Sequence, residues 1–427
     1  MGALRSSLTE DVEIGTAAGA ARPGARVAIV GGGASGTLMA LTLTRCRPDL
    51  FVTLIEPSRL GSGLAYGTSR PEHRLNVLPR RLSAFSDEPD DFANWLVAHR
   101  EMASIEDKVF VRRSLMGDYL RERLAAAGPH LKSMHAAATS IDLTATTARI
   151  SLDSGDVVDA DVAILATGHS WAPAWDHDGD VPPAEPVTIF GTGLGMVDRW
   201  LSLRESGHRG PITAVSRHGL SPLSHGDCRA PLTLPNVPLG QPVSDTMRWL
   251  RDLADQVLDW RIAVDAIRPH AQAIWQAWSP VERQRFLRHA RRYWDVHRHR
   301  IAPDIALRLV GEIESGTLRI ASAIMAAEAA FTFDCRGHLP DWTAIQNPLI
   351  ARLLAHGIVR PDPHGLGLEV TPDGRVIRQD GAAWRHLYAI GPITRGRFWE
   401  IEAIPEIRAQ CEALARLLEG HVSKIRA

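Results

Sequence analysis

Two sets of residues in this chain have the types and spacing that phosphate binding requires. The first is Gly31, Gly33 and Gly36, a G-x-G-x-x-G run that encloses Ser35 and is followed, twenty positions after its last glycine, by Glu56. Gly31 permits a tight turn, Gly33 lets the backbone approach a pyrophosphate, and Gly36 lets the next helix pack closely on the preceding strand. The helix N-terminus is thereby aimed at the phosphates, and Glu56 is suited to accept hydrogen bonds from a ribose hydroxyl. The second set is Gly191 and Gly193, with Met196 in the place of the third glycine, then Ser216 and Arg217 where a site for NAD would carry an acid. Met196 costs close helix packing but leaves phosphate access. Arg217 cannot accept from a 2′-hydroxyl but can pair with a 2′-phosphate, so the second set predicts an NADPH site.

The elements that must position these residues are legible around them. Residues 27–30, 37–43 and 51–55 predict strand, helix and strand about the first glycines, and 187–190 and 212–215 predict strands about the second. Residues 57–67 are too rich in glycine for a regular element and predict a loop folded over a ligand. Asp90 is placed to cap a helix, within which Trp95 reads as core, as does Tyr119 further on. Residues 139–168 alternate as a meander with a turn at 153–156 and end in an apolar strand followed by Ala166-Thr167-Gly168, small enough to let backbone pass near a cofactor. Residues 331–337 form its counterpart after the second glycine set. A last strand at 386–390 reaches Gly391, and a helix follows from 404.

Composition bounds the possibilities. With 427 residues, 45% hydrophobic and 23% charged, the chain has the makings of two to three soluble globular domains. A net charge of −1 argues against global attraction to nucleic acid or an anionic membrane. Residues 1–24 contain Glu10, Asp11 and Glu13 and no apolar stretch, which reads as a disordered leader and predicts the cytoplasm. Cys46, Cys228, Cys335 and Cys411 have neither C-x-x-C nor metal-ligand spacing and read as small hydrophobes. His297 and His299 do not share a helix face, so no metal is expected.

From about 240 the texture is helical. Ser279-Pro280-Val281-Glu282 is a capping box opening a helix through Phe286, Leu287 and Tyr293, and another helix begins near Pro303. Between 279 and 310, eight arginines face three acids. This is either a solvated basic face or an anion-recognising wall, since guanidinium forks suit carboxylates.

From about 26 to 418 the chain resembles the bacterial FAD-NAD(P)-binding family of flavoproteins, itself distantly similar to class B flavin monooxygenases that include amino-acid N-hydroxylases. The pieces that carry the resemblance are Gly31 to Glu56, Asn76-Val77, Ala166-Thr167-Gly168, Gly191 to Asp198, Trp294 to Arg300, residues 361–368, and Gly391 to Gln410. It implies an α/β fold of two Rossmann-like dinucleotide-binding domains with a β-meander and a helical insertion. Residues 25–180 and 340–427 would bind FAD, and 181–339 would bind NADPH around an insertion at about 240–315. The FAD residues implied are Gly31, Gly33, Ser35, Gly36, Glu56, Asn76, Ala166, Thr167, Gly168 and Gly391, and those for NADPH are Gly191, Gly193, Ser216 and Arg217. One departure is that 320–330, mostly alanine, stands where the family has a longer meander, so the second domain is trimmed.

The resemblance implies an FAD-dependent, NADPH-using monooxygenase, with oxygen as co-substrate, acting on a nitrogen or other soft atom of a small polar substrate. The arginines predict that the substrate bears a carboxylate held by Arg298 or Arg300, or by Arg395 or Arg397. A dehydrogenase or reductase without oxygen transfer, and a non-catalytic flavin-binding redox partner, are the alternatives.

Overall fold

The computed structural model describes residues 24–169, 181–226, 232–234, 236–322, 330–337, 342–343 and 345–419. The leader expected over 1–24 lies, apart from Gly24, outside these residues, as does Cys228. In chain order the strands are β1 (Arg26–Val30), β2 (Phe51–Ile55), β3 (Leu131–Met134), β4 (Ala138–Leu143), β5 (Ala148–Leu152), β6 (Val157–Ala160), β7 (Val162–Leu165), β8 (Val187–Phe190), β9 (Ile212–Val215), β10 (Leu318–Ala321), β11 (Phe331–Asp334), β12 (Arg375–Ile377) and β13 (Ala383–Ala389).

They form three sheets. The first runs β12-β13-β7-β1-β2-β3 and is parallel except at its β12 edge. Val27 to Val30 and all of β7 are buried, as a sheet covered on both faces demands. Helices Ala34–Cys46 and Ile404–Glu419 cover one face against Val162, Ile164, Tyr388 and Ile390. The antiparallel meander β4-β5-β6 and helix Pro348–Ala355 cover the other. The second sheet, β10-β9-β8-β11, is wholly parallel and packs on helices Leu194–Glu205 and Pro303–Glu314 around the buried Trp200.

The insertion has an aromatic core of its own. Trp275, Trp278, Phe286 and Trp294 gather round Trp399, which comes from the segment after β13 and stacks on Trp275 with centroids 4.9 Å apart. The helix expected from 280 to 293 is interrupted by a π-helical turn at Phe286–Ala290. Its capping box is half formed: the Glu282 amide donates to Ser279 Oγ, but the Glu282 carboxylate accepts from the Val243 amide at 2.7 Å. Asp90 stands at the start of helix Asp91–Ala98, yet its carboxylate is taken by Arg80, since a guanidinium outcompetes an amide. Trp95 and Tyr119 are core, with the Tyr119 hydroxyl donating to Asp91 and accepting from the Ala84 amide. The loop at 57–67 contains one helical turn, Gly63–Tyr66.

A polar seam joins the two parallel sheets. Arg113 grips Asp198 with both arms of its fork at 2.7 and 3.0 Å, His73 Nε2 lies 2.9 Å from Ser202 Oγ, and Arg74 reaches Asp304. Among the described residues, no helix is long and apolar enough to cross a membrane.

Arg204 staples the second domain internally. It is 5% exposed, and it donates to Glu312 and to the carbonyls of His208, Gly210 and Thr317. Arg204→Met is expected to cost about 3–5 kcal/mol, because it leaves a carboxylate and buried carbonyls unpaired. Urea unfolding measures this, with Glu312→Gln as the milder control.

Candidate functional site

The first glycine loop is shaped by backbone contacts. Gly31 has a φ of +104°, and a Cβ there would lie 2.5 Å from the Ala166 carbonyl oxygen. A Cβ on Gly36 would collide with the Gly31 carbonyl, so the helix Ala34–Cys46 starts hard against the turn. Gly33 is overlaid by the 57–67 loop: Gly63 Cα is 3.2 Å from where its Cβ would be, and the Gly61 amide donates to the Gly32 carbonyl. Glu56, at the end of β2, accepts from the amides of Gly32 at 2.7 Å and Ser58 at 2.9 Å. Across the sheet, Gly391 has a φ of +73° and touches Ser35, with its amide bonded to Gln410 on the final helix. Beyond Ala166, Gly168 has open space where a Cβ would stand. This cradle fits a dinucleotide: turn, helix start and two glycine approaches converge on the ends of β1, β7 and β13.

The second loop repeats the first. Gly191 has a φ of +107° and rests on the Cys335 carbonyl as Gly31 rests on that of Ala166. Gly193 has nothing within 4 Å of its absent Cβ. Met196 is fully buried. Ser216 Oγ is 2.8 Å from Thr192 Oγ1 and accepts from the Gly219 amide, which fixes the turn carrying Arg217. Arg217 is exposed and makes no ion pair among the described residues.

The candidate substrate arginines fall in two places. Arg298 and Arg300 line a small cavity whose opposite wall is Asn76, Val77 and Leu78, with His225 bonded to the Asn76 carbonyl at 2.8 Å. Arg298 Nε donates to Glu400 at 2.8 Å. Arg300 is 4% exposed and contacts Asp265, while its Nε is buried with no hydrogen-bond partner. Arg395 and Arg397 lie near Trp399: Arg395 pairs with Glu402 at 2.7 Å and covers the indole at 4.9 Å, and Arg397 has its Nε buried without a hydrogen bond. Burial opposes ionisation of Glu402, but Arg395, with His169, His299 and Arg291 beyond it, outweighs that and brings its carboxyl down to about 2. Burial, with Arg395 opposite, pulls the Arg291 guanidinium down to about 10.

Residues 28–170 match the model of the FAD-NAD(P)-binding family. The match spans the first glycine loop and ends just beyond β7. No curated protein matches the sequence. Solved structures share the fold: an ornithine N-hydroxylase of Kutzneria sp. 744 with reduced FAD, NADP+ and L-ornithine is 14% identical, with a TM-score of 0.63 over 95% of this chain and 100% of that one. The ornithine hydroxylase of Pseudomonas aeruginosa is 13% identical, with a TM-score of 0.61 over 93% of this chain and 100% of that one. The bacillithiol disulfide reductase of Staphylococcus aureus is also 13% identical, with a TM-score of 0.52 over 93% of this chain and 98% of that one. At such identities the likeness is one of fold. The architecture is an α/β one with two Rossmann-like parallel sheets, as in those structures.

Gly31, Gly33, Ser35, Gly36, Glu56 and Ala166 are brought together with Gly391, while Asn76 stands apart on the cavity wall. Sequence reasoning missed Glu400, Glu402 and Glu406, which bind Arg298, Arg395 and Arg268 respectively. The available signal was charge matching: these acids follow Gly391, where Glu400 and Glu406 answer arginines of the insertion and Glu402 answers Arg395 of the same segment. In the arginine-rich insertion Arg288 and Arg292 are exposed, whereas Arg298 and Arg300 line the cavity and pair with Glu400 and Asp265. Among the described residues no cluster suits a metal; Cys335 and Cys411 are buried as small hydrophobes, whereas Cys46, at the end of its helix, is exposed.

Gly33→Val is expected to yield protein without bound FAD, since branched carbons would fill the space beside Gly63; visible absorbance per protein checks this. Glu402 should also make the fold acid-sensitive. Its folded value lies below the ordinary 4.5, so its stabilisation is full above that value and is lost as pH falls towards about 2. Glu402→Gln should flatten melting temperature against pH in that window.

Proposed function

We propose that the protein is an FAD-dependent, NADPH-using monooxygenase that hydroxylates a nitrogen, or another soft nucleophilic atom, of a small carboxylate-bearing substrate. The observation that carries this reading is the cavity between Asn76 to Leu78 and the inserted arginines. Arg298 and Arg300 line it, and while Arg300 pairs with Asp265, the terminal nitrogens of Arg298 make no hydrogen bond to described residues and can take an acceptor. When bound, FAD would supply the electron transfer and oxygen activation. The balance is one NADPH, one dioxygen and one proton consumed with the substrate, giving NADP+, hydroxylated product and water.

The chain's own residues supply position and charge. Gly31, Gly33 and Gly36 admit the pyrophosphate, and Glu56 takes the adenosine ribose. Gly191 and Gly193 receive the second nucleotide, and Arg217 meets its 2′-phosphate. Arg298 and Arg300 hold the carboxylate, with Arg395 and Arg397 as the alternative pair. A C-x-x-C dithiol reaction has no support, because the sequence lacks that spacing and burial pushes the Cys335 thiol up to about 12.

Mixing the yellow protein with NADPH in air tests the reading. NADPH oxidation stimulated by an amine or amino acid, with hydroxylated product formed in step with it in place of peroxide, supports a monooxygenase. Reduction with slow reoxidation supports a dehydrogenase or reductase, and no reduction leaves a redox partner. Arg217→Ala should weaken NADPH by about tenfold to a hundredfold and leave NADH nearly unchanged, as a lost charge-assisted phosphate contact implies; nucleotide titrations measure both. Arg300→Gln should raise the apparent substrate constant by about tenfold to a hundredfold while NADPH still reduces FAD.

A further inference from the structure

Glu400 has an unusual conformation for its residue type and surroundings. Its φ is +64°, a left-handed backbone that a side chain with a Cβ adopts at a cost. It is also 6% exposed, so an ionisable group is buried on a strained residue. Its carboxylate is fully engaged: Trp294 Nε1 donates to Oε1 at 2.5 Å and Arg298 Nε donates to Oε2 at 2.8 Å. Burial opposes the ionised form, but Arg298 outweighs it and holds the Glu400 carboxyl below the ordinary range. Both donors belong to the insertion, whereas Glu400 belongs to the segment that begins at Gly391.

The consequence lies in what Arg298 has left. With Nε committed to Glu400, its two terminal nitrogens make no hydrogen bond to described residues, and the side chain lines the cavity beside Arg300 and Asn76. A free arginine would sample many rotamers, and fixing it on Glu400 removes that loss from the binding step. Trp294 fixes the other carboxylate oxygen, so Glu400 cannot turn away.

We propose that Glu400 is a positioning residue, whose strained backbone and twice-bonded carboxylate orient Arg298 to receive a substrate carboxylate. The inference rests on the carboxylate reading of this cavity. It makes anion recognition depend on the segment that begins at Gly391, so substrate pocket and flavin cradle are built from one piece of chain. Glycine would suit the backbone at 400 better than glutamate: Glu400→Gly relieves strain while removing the carboxylate that holds both Arg298 and Trp294.

The experiment uses the FAD-loaded protein with succinate as the carboxylate probe, read by the rise in melting temperature with concentration, and anaerobic bleaching of FAD by NADPH as the independent readout. Succinate should bind Glu400→Gly about tenfold more weakly than wild type, with Glu400→Gln between them because its amide still accepts from Arg298. FAD reduction should stay within about twofold. Arg298→Gln combined with Glu400→Gly should bind no worse than Arg298→Gln alone, since Glu400 acts through Arg298. Undiminished succinate binding by Glu400→Gly, or fully additive losses in the double variant, would overturn the inference alone. Failure of wild type to bind succinate, with FAD still reduced, would overturn the carboxylate reading and this inference with it.

Discussion

At Gly31 the turn leaving β1 rests on the carbonyl of Ala166, and at Gly36 the next helix rests on the carbonyl of Gly31. No side chain fits between these backbones, so the distance from strand to helix is set by peptide groups alone. That spacing aligns the helix axis with the end of the sheet and leaves its free amides pointing outward. The same contact recurs between Gly191 and Cys335, and a related one between Gly391 and Ser35. From these crossings follow the tilt of both helices, the gap between the ends of β1 and β7, and the place of the segment after β13.

Charge organises what the crossings leave open. Glu400 and Glu406 anchor the last segment to Arg298 and Arg268 of the insertion, and Glu402 pairs within the segment with Arg395. Pairs of this kind contribute little net stability beside apolar substitutes, because removing two charges from water costs nearly what their attraction returns. They enforce register: a segment displaced by one residue would take Glu400 and Glu406 from their arginines. Trp399 adds the apolar half of the same arrangement by filling the aromatic core of the insertion.

The parts legible in the sequence are those fixed by near neighbours along the chain. The glycine turns, the flanking apolar strands and the strand-to-small-residue endings at Ala166 and Cys335 depend on spacings of a few residues, and they lie where expected. The capping box was half legible, because Ser279 answers a local amide whereas Glu282 answers Val243, brought close only by the tertiary fold. Asp90 likewise reads as a cap until Arg80 arrives beside it. The candidate site was legible as a set of arginines but not as an arrangement. Which arginine faces a cavity depends on which glutamate, about a hundred positions away, has claimed one edge of it.

The seam between the parallel sheets carries a consequence for motion. A hinge opening there would have to part Arg113 from Asp198 across two hydrogen bonds, and His73 from Ser202, before any apolar surface separated. The two parallel sheets are thus tied at this seam by directional polar bonds, which fix their relative angle more tightly than apolar contact of the same size would.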